Sequence, residues 1–154
     1  SAGLPVIGVR ERLTSAKRDK LYEANINPIA SFPAEGIVVF GQKTLQAAQS
    51  ALDRVNVRRL LIDIRRKVRG IANGLLFEPN RDETLIRFNN AVLPILSNIQ
   101  QGQGLDAFQV QIDATTTTQA DVENNTIRGK IFLQPTRTVE VISLDFVVTN
   151  AGVE

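Results

Sequence analysis

The sequence predicts an α+β domain: a mixed sheet packed with helices and ending in an extended C-terminal strand. Two observations carry this. Apolar residues recur at three- and four-residue steps through two long central stretches, the spacing of one helix face. From Phe108 onward the spacing changes to two, the period of a half-buried strand. Helices and strands segregated along the chain argue against alternating β–α units and a parallel sheet.

Taken in order, the first nine residues show no clear period. A helix is expected over residues 15–24, with Thr14 or Ser15 as its cap, because a side-chain oxygen there accepts from an orphan amide of the first turn. Asn27-Pro28 stops it, since proline disfavours a helical residue before it. Phe32-Pro33-Ala34-Glu35-Gly36 reads as a turn. Ile37-Val38-Val39-Phe40, bounded by Gly36 and Gly41, reads as a buried strand. Val57, Leu60, Leu61, Ile64, Val68 and Ile71 form one stripe of a helix over residues 56–72. Asp82 can cap a second long helix, to residue 100, whose stripe is Leu85, Phe88, Val92, Ile95, Leu96 and Ile99. Pro94 lies inside it and predicts a kink or break near Asn90. Phe108, Val110 and Ile112 mark a strand. Residues 114–125 are polar, with threonine at Thr115, Thr116, Thr117 and Thr118, and read as an exposed hairpin loop. A strand follows over residues 127–133. In the last segment Ile142, Leu144, Phe146 and Val148 fall on one face, and Val141, Ser143, Asp145 and Val147 on the other.

Composition narrows function mainly by what is missing. The 154 residues contain no Cys, no His and no Met. Thiol nucleophiles, imidazole bases, disulfides and the usual Cys/His zinc sites are therefore excluded. A carboxylate or lysine enzyme stays open in principle, but no pair of carboxylates is held in a catalytic frame, and an enzyme is not expected. Gly102-Gln103-Gly104 lacks the preceding strand and full glycine spacing of a nucleotide loop and reads as a helix ending. No cofactor or metal is expected. Without a methionine the chain reads as a piece of a longer protein. No apolar run approaches the ~20 residues of a membrane helix, so no membrane partner is expected.

Charge is unevenly placed. Residues 1–75 hold 13 basic and 6 acidic side chains, and residues 76–154 hold 5 and 10, an asymmetry that points to partner contacts. Asp63 sits at pairing distance along the helix from Arg59, Arg66 and Lys67. Arg54, Arg58, Arg65 and Arg69 lie within about 60° of one another at 100° per residue. Three readings of this stripe stand: a solvated face, a contact with an acidic protein surface, or a nucleic-acid-binding module gripping phosphates. No aromatic residue lies within this helix, which argues against single-strand binding. The closing segment also has two readings. It is a central strand of its own sheet, or a strand that pairs with another chain.

Several stretches then combine: Ile26-Asn27-Pro28-Ile29, Gly36-Ile37-Val38-Val39-Phe40-Gly41 with Lys43-Thr44-Leu45, Arg54-Val55-Asn56-Val57-Arg58-Arg59-Leu60 opening a helix, Leu76-Phe77-Glu78-Pro79-Asn80, Gly104-Leu105, and Pro135 with Glu140-Val141-Ile142. In this order and spacing they resemble the C-terminal domain of contractile tail sheath proteins of phages, over residues 10–154. Bacteriocin and secretion-system sheaths share that fold. The resemblance implies a structural subunit, a homo-oligomer stacked as hexameric rings around a tail tube protein. It implies contraction that drives the tube through the host envelope without a cofactor, and a place in the virion after assembly in the host cytoplasm. It implies residues 1–136 as an inner-domain core and residues 137–154 as an arm that pairs with a neighbouring subunit. Val139, Val141, Ser143, Asp145 and Val147 are then the intersubunit strand. Arg54, Arg58, Arg65 and Arg69 are the candidate tube-facing residues, on charge alone. The family's N-terminal arm and protruding outer domains have no counterpart in this sequence.

Overall fold

The computed structural model describes residues 3–75, 81–113, 115–118, 120, 121, 124, 126–136, 140–149, 152 and 153. The chain divides into two compact units, Ser1–Arg58 and Arg59–Glu154.

In the N-terminal unit, α1 spans Ser15–Glu23, and the Thr14 side chain accepts from the Lys17 amide at 3.4 Å. The helix ends in a Schellman turn. Asn25 takes a left-handed φ of 59°, the Ile26 amide bonds the Leu21 carbonyl at 2.9 Å, and the Asn25 amide bonds the Tyr22 carbonyl at 3.1 Å. A hairpin follows, β1 Ile29–Phe32 and β2 Gly36–Val39, with Phe32 opposite Gly36. Gly36 closes it at φ 74°, the conformation a short loop needs where it re-enters the strand. β1 was not expected: Pro28 and Pro33 bracket it and read as breakers. Its partner is less buried than its apolar run suggests. Val38 is buried, whereas Phe40 lies beyond the strand and is 48% exposed. The Asn27 side chain grips Lys43 from both sides, donating to its carbonyl at 2.8 Å and accepting from its amide at 2.9 Å.

The long helix α2 spans Val55–Leu75 and begins in the N-terminal unit. In the C-terminal unit its buried face is Ile64, Val68 and Ala72. The helix α3 spans Arg81–Gln101, with Asp82 and Glu83 in its first turn, where carboxylates complement the helix dipole. Its buried face repeats every fourth residue: Thr84, Phe88, Val92 and Leu96. Of the kink or break expected near Asn90, the break is absent: α3 runs through Pro94. The helix turns out at Gln103, φ 58°, and the Gly104 amide bonds the Ile99 carbonyl at 2.9 Å. The left-handed residue is thus the glutamine between the two glycines.

The strands β3 Leu105–Gln111, β4 Ile127–Pro135, β5 Ile142–Thr149 and β6 Gly152–Val153 form a sheet in that order. Every strand pairing among the described residues is antiparallel, in two sheets. The α+β class stands, but among the described residues the expected mixed sheet is antiparallel throughout; parallel neighbours would need a crossover between them. The core of this unit joins Ile64, Val68, Phe88, Val92 and Leu96 to Leu105, Ile131, Leu133, Leu144 and Phe146. Phe88 and Phe146 stack with centroids 5.0 Å apart.

Candidate functional site

Two surfaces of the C-terminal unit are candidates: the outward face of α2 and the far edge of β5.

The four arginines picked from charge do not act alike. In the N-terminal unit Arg54 donates to the Tyr22 hydroxyl at 2.8 Å and pairs with Asp53 at 3.3 Å. Arg58 donates to the Leu52 carbonyl at 3.0 Å and to Gln46 at 2.9 Å. Both are tied locally. In the C-terminal unit Arg65 and Arg69 are exposed, and neither has an ion pair or side-chain hydrogen bond among the described residues. Asp63 pairs with Lys67 at 2.7 Å and more loosely with Arg66 at 3.8 Å. The Lys67 hydrogen bond, chiefly, lowers the Asp63 carboxyl below its ordinary value.

Sequence reasoning missed the centre of this face. Ile62 is 67% exposed, and at 100° per residue it lies within about 60° of Arg59, Arg65, Arg66 and Arg69. A large apolar side chain ringed by arginines has the composition of an interface centre, not of a solvated helix face. The signal was present: an isoleucine outside the Leu61, Ile64, Val68 stripe.

Val139 lies outside the described residues. Val141 precedes β5 and is 60% exposed. Ser143 and Asp145 are exposed and Val147 is half-buried, while Leu144 and Phe146 turn to the core. The expected alternation therefore holds. One edge of β5 is already used, with Phe132 opposite Ser143, Lys130 opposite Asp145 and Arg128 opposite Val147. The other edge meets β6 only at Val148 and Thr149. Among the described residues, 142–147 have no strand partner on that side. A groove of about 190 Å³ adjoins, lined by Ile64, Val68, Ile131, Leu144 and Phe146, with Arg65 and Arg69 beside them. Asp145 also borders it; alternation along β5 turns its side chain to the other face, so its contribution is the strand itself.

Other polar groups serve the fold. Asp121 accepts from Arg128 at 2.8 Å and from the Thr118 amide and hydroxyl at 3.0 and 2.7 Å. These bonds, Arg128 first, hold its carboxyl down at about 2. Asp113 is likewise lowered, chiefly by the Thr115 hydroxyl. Thr117, expected in an exposed loop, is buried and bonds both backbone groups of Arg128. Among the described residues no cluster of acidic side chains could hold a metal ion, and no helix is long and apolar enough to cross a membrane.

Residues 47–149 match the family model described as the phage tail sheath C-terminal domain. The tail sheath protein of Vibrio phage KVP40 is 34% identical over 142 residues, 92% of this chain and 21% of that protein. That of Enterobacteria phage T4 is 30% identical over 151 residues, 98% of this chain and 23% of that protein. The chain thus spans about a fifth of the length of these curated relatives. Among solved structures, the sheath complex of an extracellular contractile injection system in the contracted state superposes with a TM-score of 0.74 at 29% identity, over 88% of this chain and 40% of that one. Nothing in these relatives or in the site favours the nucleic-acid reading.

Proposed function

The chain belongs to the phage tail sheath C-terminal domain family, and from that premise we propose that it is the polymerising domain of a contractile sheath subunit. Its copies stack as hexameric rings around a tail tube in the virion, after assembly in the host cytoplasm. The role is structural rather than catalytic. Contraction draws on no cofactor: an extended, kinetically trapped lattice relaxes by rigid-body rearrangement of its subunits and drives the tube through the host envelope.

The observation that carries this reading is the open edge of β5. Backbone without a strand partner among the described residues, next to an apolar groove, is a template for a strand from a neighbouring subunit, with main-chain bonds giving affinity and the groove taking a side chain. The notion of an arm over residues 137–154 changes accordingly. Residues 142–149 belong to this chain's own sheet, and the same strand offers its second edge to the neighbour. The arginine face around Ile62 is assigned to an acidic surface of the tube, with Arg65 and Arg69 in place of the locally engaged Arg54 and Arg58.

Val141→Pro tests the edge. Val141 lies one residue outside the β4–β5 ladder, which begins at Ile142, so the monomer should melt as wild type while polymers vanish in electron micrographs. Normal polymers from this variant would refute the assignment. Val147→Pro is the contrast: Val147 sits inside the ladder opposite Arg128, and its variant should lose monomer stability as well.

A further inference from the structure

The helix α1 buries none of its residues. Only Arg18, Leu21 and Tyr22 are even half-buried, so α1 lacks the apolar stripe that normally fastens a helix to its domain. Its attachments are cationic instead. The Arg18 guanidinium lies 5.2 Å from the Phe32 ring and 5.6 Å from the Phe40 ring, at the two ends of the β1–β2 hairpin. Those rings touch each other at 5.4 Å. Lys43 sits 4.0 Å above the Tyr22 ring and donates to the Tyr22 carbonyl at 2.7 Å. Arg54 holds the Tyr22 hydroxyl at 2.8 Å. The hairpin and the segment behind it have separate fastenings: the β1–β2 ladder, the Leu4 amide on the Ile37 carbonyl at 2.8 Å, and the Asn27 grip on Lys43.

We propose that α1 is a detachable latch, which undocks as a unit from the hairpin while the rest of the N-terminal unit stays folded, and so uncovers the Phe32–Phe40 ring pair. Each exposed cation–π contact or hydrogen bond of this kind favours the docked state by a factor of about 2–5. The five contacts multiply to roughly 30–3000. Global opening of a domain is rarer, with constants of roughly 10³–10⁸. Local release of α1 therefore precedes unfolding, as expected for a segment with few apolar contacts. The consequence is a surface with two states. Docked, the Arg18 guanidinium lies over part of a ring pair that is already partly exposed; released, the rest of that aromatic face opens to solvent.

Amide hydrogen exchange on the whole chain tests this. Amides of α1 should show protection factors of roughly 30–3000, below those of β1–β2 and well below α3 and β4. Arg18→Met keeps the aliphatic stem and removes the charge; it should cut α1 protection by about 4- to 25-fold and leave α3 and β4 unchanged. The proposal is overturned if α1 exchanges as slowly as the hairpin, if Arg18→Met shifts the whole N-terminal unit equally, or if wild-type α1 has no protection. Tyr22 is the only tyrosine, and there is no tryptophan. Its fluorescence should therefore change at lower urea than the far-ultraviolet dichroism, and coincident transitions would equally overturn the latch.

Discussion

Gly129→Ala should destabilise the C-terminal unit, although alanine suits a strand better than glycine. A Cβ at position 129 would lie 2.2 Å from Cζ and 2.7 Å from Cε1 of Phe146, and 3.0 Å from Cγ1 of Ile112. Gly129 stands opposite Phe146 across the β4–β5 ladder. To yield, Phe146 would have to leave its stack on Phe88, where it is only 7% exposed. Overpacking of this kind costs about 1–3 kcal/mol. Relief of glycine's backbone entropy returns about 0.5–1 kcal/mol. The net loss is about 1–2 kcal/mol, which for a unit of this size lowers the melting temperature by about 5–15 °C. A thermal melt followed by circular dichroism reads it directly. Phe146→Leu frees the space, so the double variant should be more stable than the two single losses sum to, with a coupling of about 0.5–3 kcal/mol. A Gly129→Ala protein that melts at or above wild type, or a strictly additive double variant, refutes the steric account.

Asp121 should titrate at about 2 instead of its ordinary 3.8. A depressed folded-state pKa stabilises above 3.8 and loses that contribution as pH falls toward 2. An NMR titration of its carboxyl midpoint checks this, and a midpoint at the ordinary value would show that the Arg128 bond does not persist in solution. Pro94→Ala should stabilise the protein by about 1–2 kcal/mol, since α3 is continuous there and an interior proline forfeits a helix bond at ~3 kcal/mol, partly offset by its stiffening of the unfolded chain; a drop in melting temperature would mean that the core needs the proline's geometry. Arg65→Glu with Arg69→Glu should keep monomer stability within about 0.5 kcal/mol while weakening assembly templated on the tube, as read by sedimentation of sheath–tube complexes. Unchanged sedimentation would direct the Ile62 face elsewhere.

The elements that proved legible from sequence are those whose pattern is local and long. The stripe of α2 and the alternation of β5 needed no partner to be seen, because the faces of a helix and a strand follow from their own periods. The hairpin strand β1 escaped because its four residues are too few to establish a period, and the two flanking prolines looked like punctuation. Proline before a strand and in its turn loses no ladder bond, so the same residues that argued against structure are compatible with it. The break expected in α3 failed for a related reason: Phe88, Val92 and Leu96 are anchored in the core on either side of Pro94, and tertiary packing outweighed the local penalty.

What the sequence determined by itself was the α+β class, the helix and strand faces, the exclusion of thiol and imidazole chemistry, and the sheath family. Only the tertiary structure decided which groups on the two suspected surfaces are already engaged. Arg54 and Arg58 are engaged because Tyr22, Gln46 and Leu52 return to them from elsewhere in the fold. Among the described residues the β5 edge is open because β6 covers only its end. Glycine is favoured at position 129 because a phenylalanine from the next strand fills the space a Cβ would take. Each depends on residues brought together across the chain, and periodicity along one segment carries no record of what packs against it.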